Sequence, residues 1–168
     1  FTASDWDTPQ TVTVTGQDDD IIDGSQNYAI TISVEDASSD NDFDGLDDQT
    51  VSVDNADDDA AGFTVTETDG NTATGESGTT DNFEVVLDAQ PASDVVLTVS
   101  SGDATEGSLD QTSLTFTASD WDTPQTVTVT GQDDDIIDGT QNYDITISVE
   151  DASSDDDFDG LDDQTVNV

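Results

Sequence analysis

Apolar and polar residues alternate strictly in several short stretches of the chain, among them "TVTVT" at 11–15 and "ITISV" at 30–34. A period of two sends successive side chains to opposite faces of an extended backbone, so such stretches predict half-buried strands. In the later part of the chain the same pattern predicts strands at 62–67, 82–88, 94–100, 113–118, 125–131, 143–149 and 164–168. Clusters of Gly, Asp, Asn, Ser and Pro separate them, which is the chemistry of turns. No stretch combines helical spacing with good helix formers. Seven short strands in a unit of about 100 residues predict an all-β fold, an immunoglobulin-like Greek-key β-sandwich. The expected core takes in Phe63, Val65, Phe83, Val85, Leu87, Val96, Leu114, Phe116, Trp121, Val127, Val129, Tyr143, Ile145, Ile147 and Val166.

The pattern repeats. Shifting the sequence by 115 places overlays 1–53 on 116–168, and only four pairs differ: Ser25/Thr140, Ala29/Asp144, Asn41/Asp156 and Ser52/Asn167. A period of that length matches one ordinary domain, so the chain reads as tandem modules and not as a solenoid of short units. Residues 1–53 are expected to be the C-terminal part of one repeat, 54–61 an acidic junction, and 62–168 a nearly complete second repeat. The first part carries only the last strands of its sandwich and would be unstable alone. Its missing strands are expected upstream in a longer protein, or from a neighbouring chain.

Charge changes the picture. The 168 residues include 42 acidic side chains, no Lys, no Arg and no His, for a formal charge of −42. Self-repulsion on that scale opposes compaction unless cations offset it. The alternating pattern nonetheless argues for a folded protein, so the fold is expected to depend on its ions. The absent residue types also exclude functions. Without His, Lys or Cys there is no Ser-His-Asp triad, thiol nucleophile or Schiff base. Zinc and copper lose their preferred ligands. Binding to nucleic acid lacks every basic contact. Carboxylates alone leave glycoside hydrolysis as the one catalytic candidate, and near-identical duplication of each acidic cluster suits an array better than an active site; the chain is read as not an enzyme. No apolar run is long enough to span a membrane, so no direct membrane insertion is expected.

What remains is hard oxygen chemistry, suited to calcium and less readily to magnesium. Acids gather at strand ends, as in "GQDDDIIDG" at 16–24 and 131–139. A second loop, "DNDFDGLDD" at 40–48, returns as "DDDFDGLDD" at 155–163. Asp40, Asp42 and Asp44 before Gly45 copy the opening spacing of an EF-hand loop, but Val51 stands where the closing glutamate belongs. Asp155, Asp157 and Asp159 share that pattern. These two loops are equally readable as acidic hairpin connections with a turn glycine. Trp6 and Trp121 suit packing more than sugar stacking, and the Thr-x-Thr stripes suit the outer face of a strand.

Taken in order, "GFTVTETDG", "SSGDATEG", "VTVTGQDDDIIDGTQNY" and the junction "VDNADDDAAGF" resemble a Calx-β repeat. The resemblance covers the full unit and the partial one before it. It implies a calcium-binding sandwich in which carboxylates from several loops at one end meet a cluster of ions, several per repeat. By that resemblance Glu67 ends the first strand as a ligand and Asp103 serves from the turn after the third. Asp133, Asp134, Asp135 and Asp138 form the acidic run, matched earlier by Asp18, Asp19, Asp20 and Asp23. Asp57, Asp58 and Asp59 supply the closing triplet. Gln26 and Gln141 replace a glutamate common in the family, which removes one charged ligand.

The expected function is that of a calcium-binding structural spacer in a long extracellular adhesin or surface fibre of a prokaryotic cell, made rigid by Ca2+ at the junctions between repeats. Its partners would be neighbouring repeats, and like chains in a fibre. Two other readings are a calcium-dependent glycan-binding adhesion module and a subunit of a self-assembling filament or surface layer.

Overall fold

The structure, a computed structural model, describes residues 1–137 and 139–168; Asp138 lies outside the described residues. It contains strands and short 3-10 turns, with no α-helix among the described residues. The chain divides into two compact units. The first comprises 1–19 and 23–57; the second comprises 20–22 and 58–168.

The first unit is built on one antiparallel pair, β1 (Gln26–Ile32) and β2 (Gln49–Asn55), with Tyr28 opposite Val53 and Ile30 opposite Val51. The alternation at 11–15 forms no strand here. Its counterpart in the second unit, "QTVTVTG" at 125–131, is held between two neighbouring strands, and the first unit has neither. A strand without a partner leaves its backbone groups to water and gains nothing from being extended.

The second unit is the predicted sandwich. One sheet contains β3 (Phe63–Glu67), β4 (Thr80–Leu87), β8 (Gln125–Gly131) and β6 (Gly107–Leu109), in that order. The other runs β10 (Gln164–Asn167), β9 (Asp144–Val149), β5 (Val95–Ser101) and β7 (Ser113–Phe116). Each pairing is antiparallel, and the chain changes sheet at every step from β4 to β9, with β5 and β7 in one sheet and β6 and β8 in the other. Alternating residues of the two inner faces fill the space between sheets: Phe83, Val85 and Leu87 with Val127 and Val129 from one, Leu97, Leu114, Phe116, Ile145 and Ile147 from the other.

Four details differ from the sequence expectation. In β5 the inward residues are Val95, Leu97 and Val99, while Val96 is only half-buried. "VVLTV" offers either phase, and the one that buries three apolar side chains instead of one prevails. Val65 and Trp121 pack against the core from its edge and are not wholly enclosed. Phe158, in the middle of an acidic loop, is completely buried. The short strand β6, whose "GSL" has too little alternation to announce itself, completes the edge beside β8.

Residues 20–22 are held to this unit by one isolated bridge. Ile21 forms a parallel bridge with Gln90, whose amide donates to the Asp20 carbonyl at 2.7 Å, and Ile22 packs against the core.

Candidate metal centre

Strand directions decide where the predicted ligands fall. β3 ends at Glu67, β5 ends at Ser101 just before Asp103, and β8 ends at Gly131 just before the acidic run. The register places Glu67 opposite Phe83, Thr80 opposite Thr130, and Gly107 opposite Gly131. All three loops therefore open at the same end of the second sandwich, as a multi-loop ion site needs.

Backbone contacts tie these loops together. The Gln132 amide donates to the Glu106 carbonyl at 2.8 Å, which joins the acidic run to the turn after β5. The Gly131 amide donates to the Thr79 carbonyl at 3.0 Å. A Cβ on Gly131 would lie 2.3 Å from the Gly75 carbonyl oxygen, so only glycine permits this approach. Beside the joined loops lies a cleft lined by Thr72, Glu76, Glu106, Ile136 and Tyr143. Glu76 and Glu106 were not singled out in the sequence; Glu106 stands three places after Asp103 in "DATE", the one available signal. The Thr72 hydroxyl is buried there without a hydrogen-bond partner.

Asp103 is half-buried, and its carboxylate caps its own turn. It accepts from the Thr105 hydroxyl at 2.6 Å and from the Thr105 amide at 3.0 Å. These bonds, the hydroxyl's foremost, hold its pKa below the ordinary carboxylate value. Asp134 similarly accepts from the Ile136 amide at 2.7 Å. Such turns hold the loops in shape while leaving other carboxylate lone pairs available.

In the first unit, Asp57 reaches across 33 residues to accept from the Gly24 amide at 2.6 Å. Asn55 donates to the Gln17 carbonyl at 2.8 Å. The two bonds lay residues 55–57 alongside the segment that carries Asp18, Asp19 and Asp23. Asp20, Asp58 and Asp59 belong to the second unit.

The weaker loop candidates fall elsewhere. Asp155 sits at the opposite end of the second sandwich from Glu67. Its carboxylate accepts from the Ser93 amide at 2.6 Å, the Ser93 hydroxyl at 3.2 Å and the Asp157 amide at 3.1 Å. Burial alone would raise its pKa, but these donors outweigh that and hold it below the ordinary value. Asp155 is thus a satisfied cap that anchors its loop. Asp159 is pushed the other way, by desolvation first and then by Asp151, Asp156 and Asp155. Asp40 repeats the capping, accepting from the Asp42 amide at 3.0 Å, and Asp44 closes the same 3-10 turn.

Oxygen donors in this number suit a hard cation. Among the described residues, however, no three carboxylates already stand close enough together to hold one. The structure brings the predicted loops to one end and stops short of converging their side chains.

No family model matches the sequence, and no curated protein matches it. Among solved structures, the chain is similar to SSP-19, an MSP-domain-like protein of Caenorhabditis elegans, at 12% identity over 58% of this chain and 89% of that one, with a TM-score of 0.38. It is also similar to domains 4 and 5 of the S-layer protein SbsC, at 19% identity over 71% of this chain, with a TM-score of 0.40. The chain spans 57% of that SbsC structure. No helix among the described residues is long and apolar enough to cross a membrane.

Proposed function

We propose that this chain is a calcium-dependent structural spacer, part of a tandem array of β-sandwich repeats on an extracellular fibre or adhesin. The observation that carries the reading is the gathering of the Glu67, Asp103 and Asp133–Asp135 loops at one end of a sandwich whose acidic segments are duplicated 115 residues apart. Glu67, Asp103 and Asp133–Asp135 would hold ions in the second repeat. Asp18, Asp19, Asp20 and Asp23, with Asp57, Asp58 and Asp59, would do so where the repeats join. The chemistry supplied by calcium is charge neutralisation with six to eight oxygen contacts.

The separation of the carboxylates is part of the proposed mechanism. At a charge of −42, the acidic loops repel and stay apart. On neutralisation they close over one end of the sandwich, and the junction at 54–61 loses its freedom. Binding confined to the closed, folded form adds to folding free energy in proportion to ion saturation.

Thermal melting separates specific sites from general screening. The chain is melted in chelator, in low-millimolar CaCl2, in equal MgCl2, and in molar NaCl. The expected result is a large gain in calcium that neither magnesium nor salt reproduces. Equal rescue by molar NaCl would show a solvated acidic surface and overturn the reading. Small-angle scattering under the same conditions tests rigidity: the ensemble of interdomain distances should narrow in calcium.

A further inference from the structure

Two loops of the second unit are fastened to each other at two points. Gly131 and Gln132, adjacent in the chain, make the first. A Cβ on Gly131 would lie 2.3 Å from the Gly75 carbonyl oxygen, and the Gln132 amide donates to the Glu106 carbonyl at 2.8 Å. The buried Tyr143 makes the second. Its hydroxyl stands 3.3 Å from the Thr74 hydroxyl and covers Gly107, where a Cβ would meet it at 1.8 Å. The segment 72–76 and the turn at 106–107 are thereby held together, and Glu76 and Glu106 border one cleft.

Thr72 lines the same cleft. It is 4% exposed, and its hydroxyl has no hydrogen-bond partner. A buried hydroxyl left unpaired is costly, and folded proteins keep few of them. Among the described residues only the Thr72 and Ser101 hydroxyls stand so, and Ser101 ends β5 at this same end of the sandwich. The chain has no Lys, Arg or His, so no basic side chain neutralises Glu76 and Glu106.

We infer that Thr72, Glu76 and Glu106 form a cation site of their own, separate from the acidic run, which takes one hard divalent ion of the calcium class. Two carboxylates match the charge of such an ion, and the hydroxyl gives it a neutral oxygen while gaining the partner it lacks. Calcium accepts irregular sets of oxygen ligands, whereas magnesium demands a near-ideal octahedron. The ion ties the β3–β4 connection to the turn after β5, and so locks one sheet to the other across the end of the sandwich. The site uses none of the residues assigned in the spacer reading and involves no junction between repeats.

The test uses the full chain carrying Trp6→Phe, Trp121→Phe and Tyr28→Phe. Tyr143, at the wall of the cleft, is then the sole tyrosine or tryptophan able to sensitise terbium emission. Titration with TbCl3 should give a saturable emission that CaCl2 displaces. Glu76→Gln and Glu106→Gln should each weaken the apparent affinity ~10-fold or more, while Asp133→Asn, Asp134→Asn and Asp135→Asn combined should leave it within about twofold. Emission that neither Glu substitution weakens overturns the inference. So does its loss in the triple Asn variant, which would assign the ion to the acidic run and leave the spacer reading standing.

Thr72→Val gives an independent readout in the otherwise unaltered chain. Exchanging an unpaired buried hydroxyl for a methyl of the same shape should hold or raise the melting temperature in chelator, yet shrink the rise produced by CaCl2. A lower melting temperature in chelator with an unchanged calcium rise would mark a purely structural threonine and overturn the inference.

Discussion

The Asp155 carboxylate accepts the Ser93 amide hydrogen at 2.6 Å, and so joins the acidic loop 155–163 to the segment that leads into β5. A residue drawn from a run of aspartates thus acts as a structural anchor. Asp155→Ala strands the Ser93 and Asp157 amides and should cost about 1–3 kcal/mol in chemical denaturation, the usual penalty for orphaned buried donors. The pH dependence has a definite sign. Its folded pKa lies below the ordinary carboxylate value, so the stabilisation is complete above that value and is lost as pH falls through the folded pKa. Wild type and Asp155→Ala should therefore converge in stability under acid, as denaturation series from pH 7 down to the acid limit would show.

Asp159, four residues on, has the opposite sign. Desolvation and then the charges of Asp151, Asp156 and Asp155 raise its pKa, so its ionised form opposes folding and protonation relieves the strain. Asp159→Asn should raise the melting temperature at pH 7 and low ionic strength. The advantage should shrink in molar NaCl, where Coulomb repulsion is screened. An unchanged gain at high salt would point to packing and not to charge.

Phe43 and Phe158 occupy equivalent places in the two repeats, one exposed and one enclosed. Phe158→Ala should cost about 3–5 kcal/mol, the range for emptying a buried aromatic site. Phe43→Ala should stay within about 0.5 kcal/mol in the isolated chain, as surface changes do. Equal costs would mean that the first unit buries Phe43 in solution.

Ile22 and Ile137 form a second such pair. Ile22 packs against the core of the second unit beside the Ile21–Gln90 bridge, whereas Ile137 is fully exposed. Ile22→Asp should lower the stability of the second unit by about 1–3 kcal/mol. Ile137→Asp should leave it unchanged. Urea denaturation of the two variants is sufficient, since the same substitution is made in the same local sequence.

These pairs show where the sequence was legible. Period-two alternation locates the strands of the sandwich apart from β6, while the expectation that several acidic loops share one end rests on the resemblance to Calx-β repeats. It could not choose between Val96 and its neighbours in β5, since adjacent valines satisfy both phases until the facing sheet selects one. Phe158 was hidden by its surroundings: charge density marks a loop as exposed, and one aromatic in it can still anchor to the core. The alternation at 11–15 predicts a strand that does not form, because an extended segment needs neighbours that pattern alone does not supply. Topology brings the loops of Glu67, Asp103 and Asp133–Asp135 to one end of the second sandwich; periodicity carries no information on where their carboxylates stand within it.

Gly131 and Gly16 allow the candidate site itself to be tested. A Cβ at Gly131 would meet the Gly75 backbone, with the carbonyl oxygen at 2.3 Å, whereas at Gly16 it would meet the Asn55 side chain, with Oδ1 at 2.5 Å. Backbone cannot retreat without moving the loop 71–79, while an asparagine side chain can swing aside. Gly131→Ala should therefore cost about 1–3 kcal/mol, as overpacking does, and Gly16→Ala clearly less. The loop displaced by Gly131→Ala carries Glu76 and borders the acidic run that starts at Asp133. If the loops at this end close together on neutralisation, the variant loses more of its calcium-dependent rise in melting temperature than of its melting temperature in chelator. A uniform loss in both conditions would show that the Gly131–Gly75 contact serves packing alone.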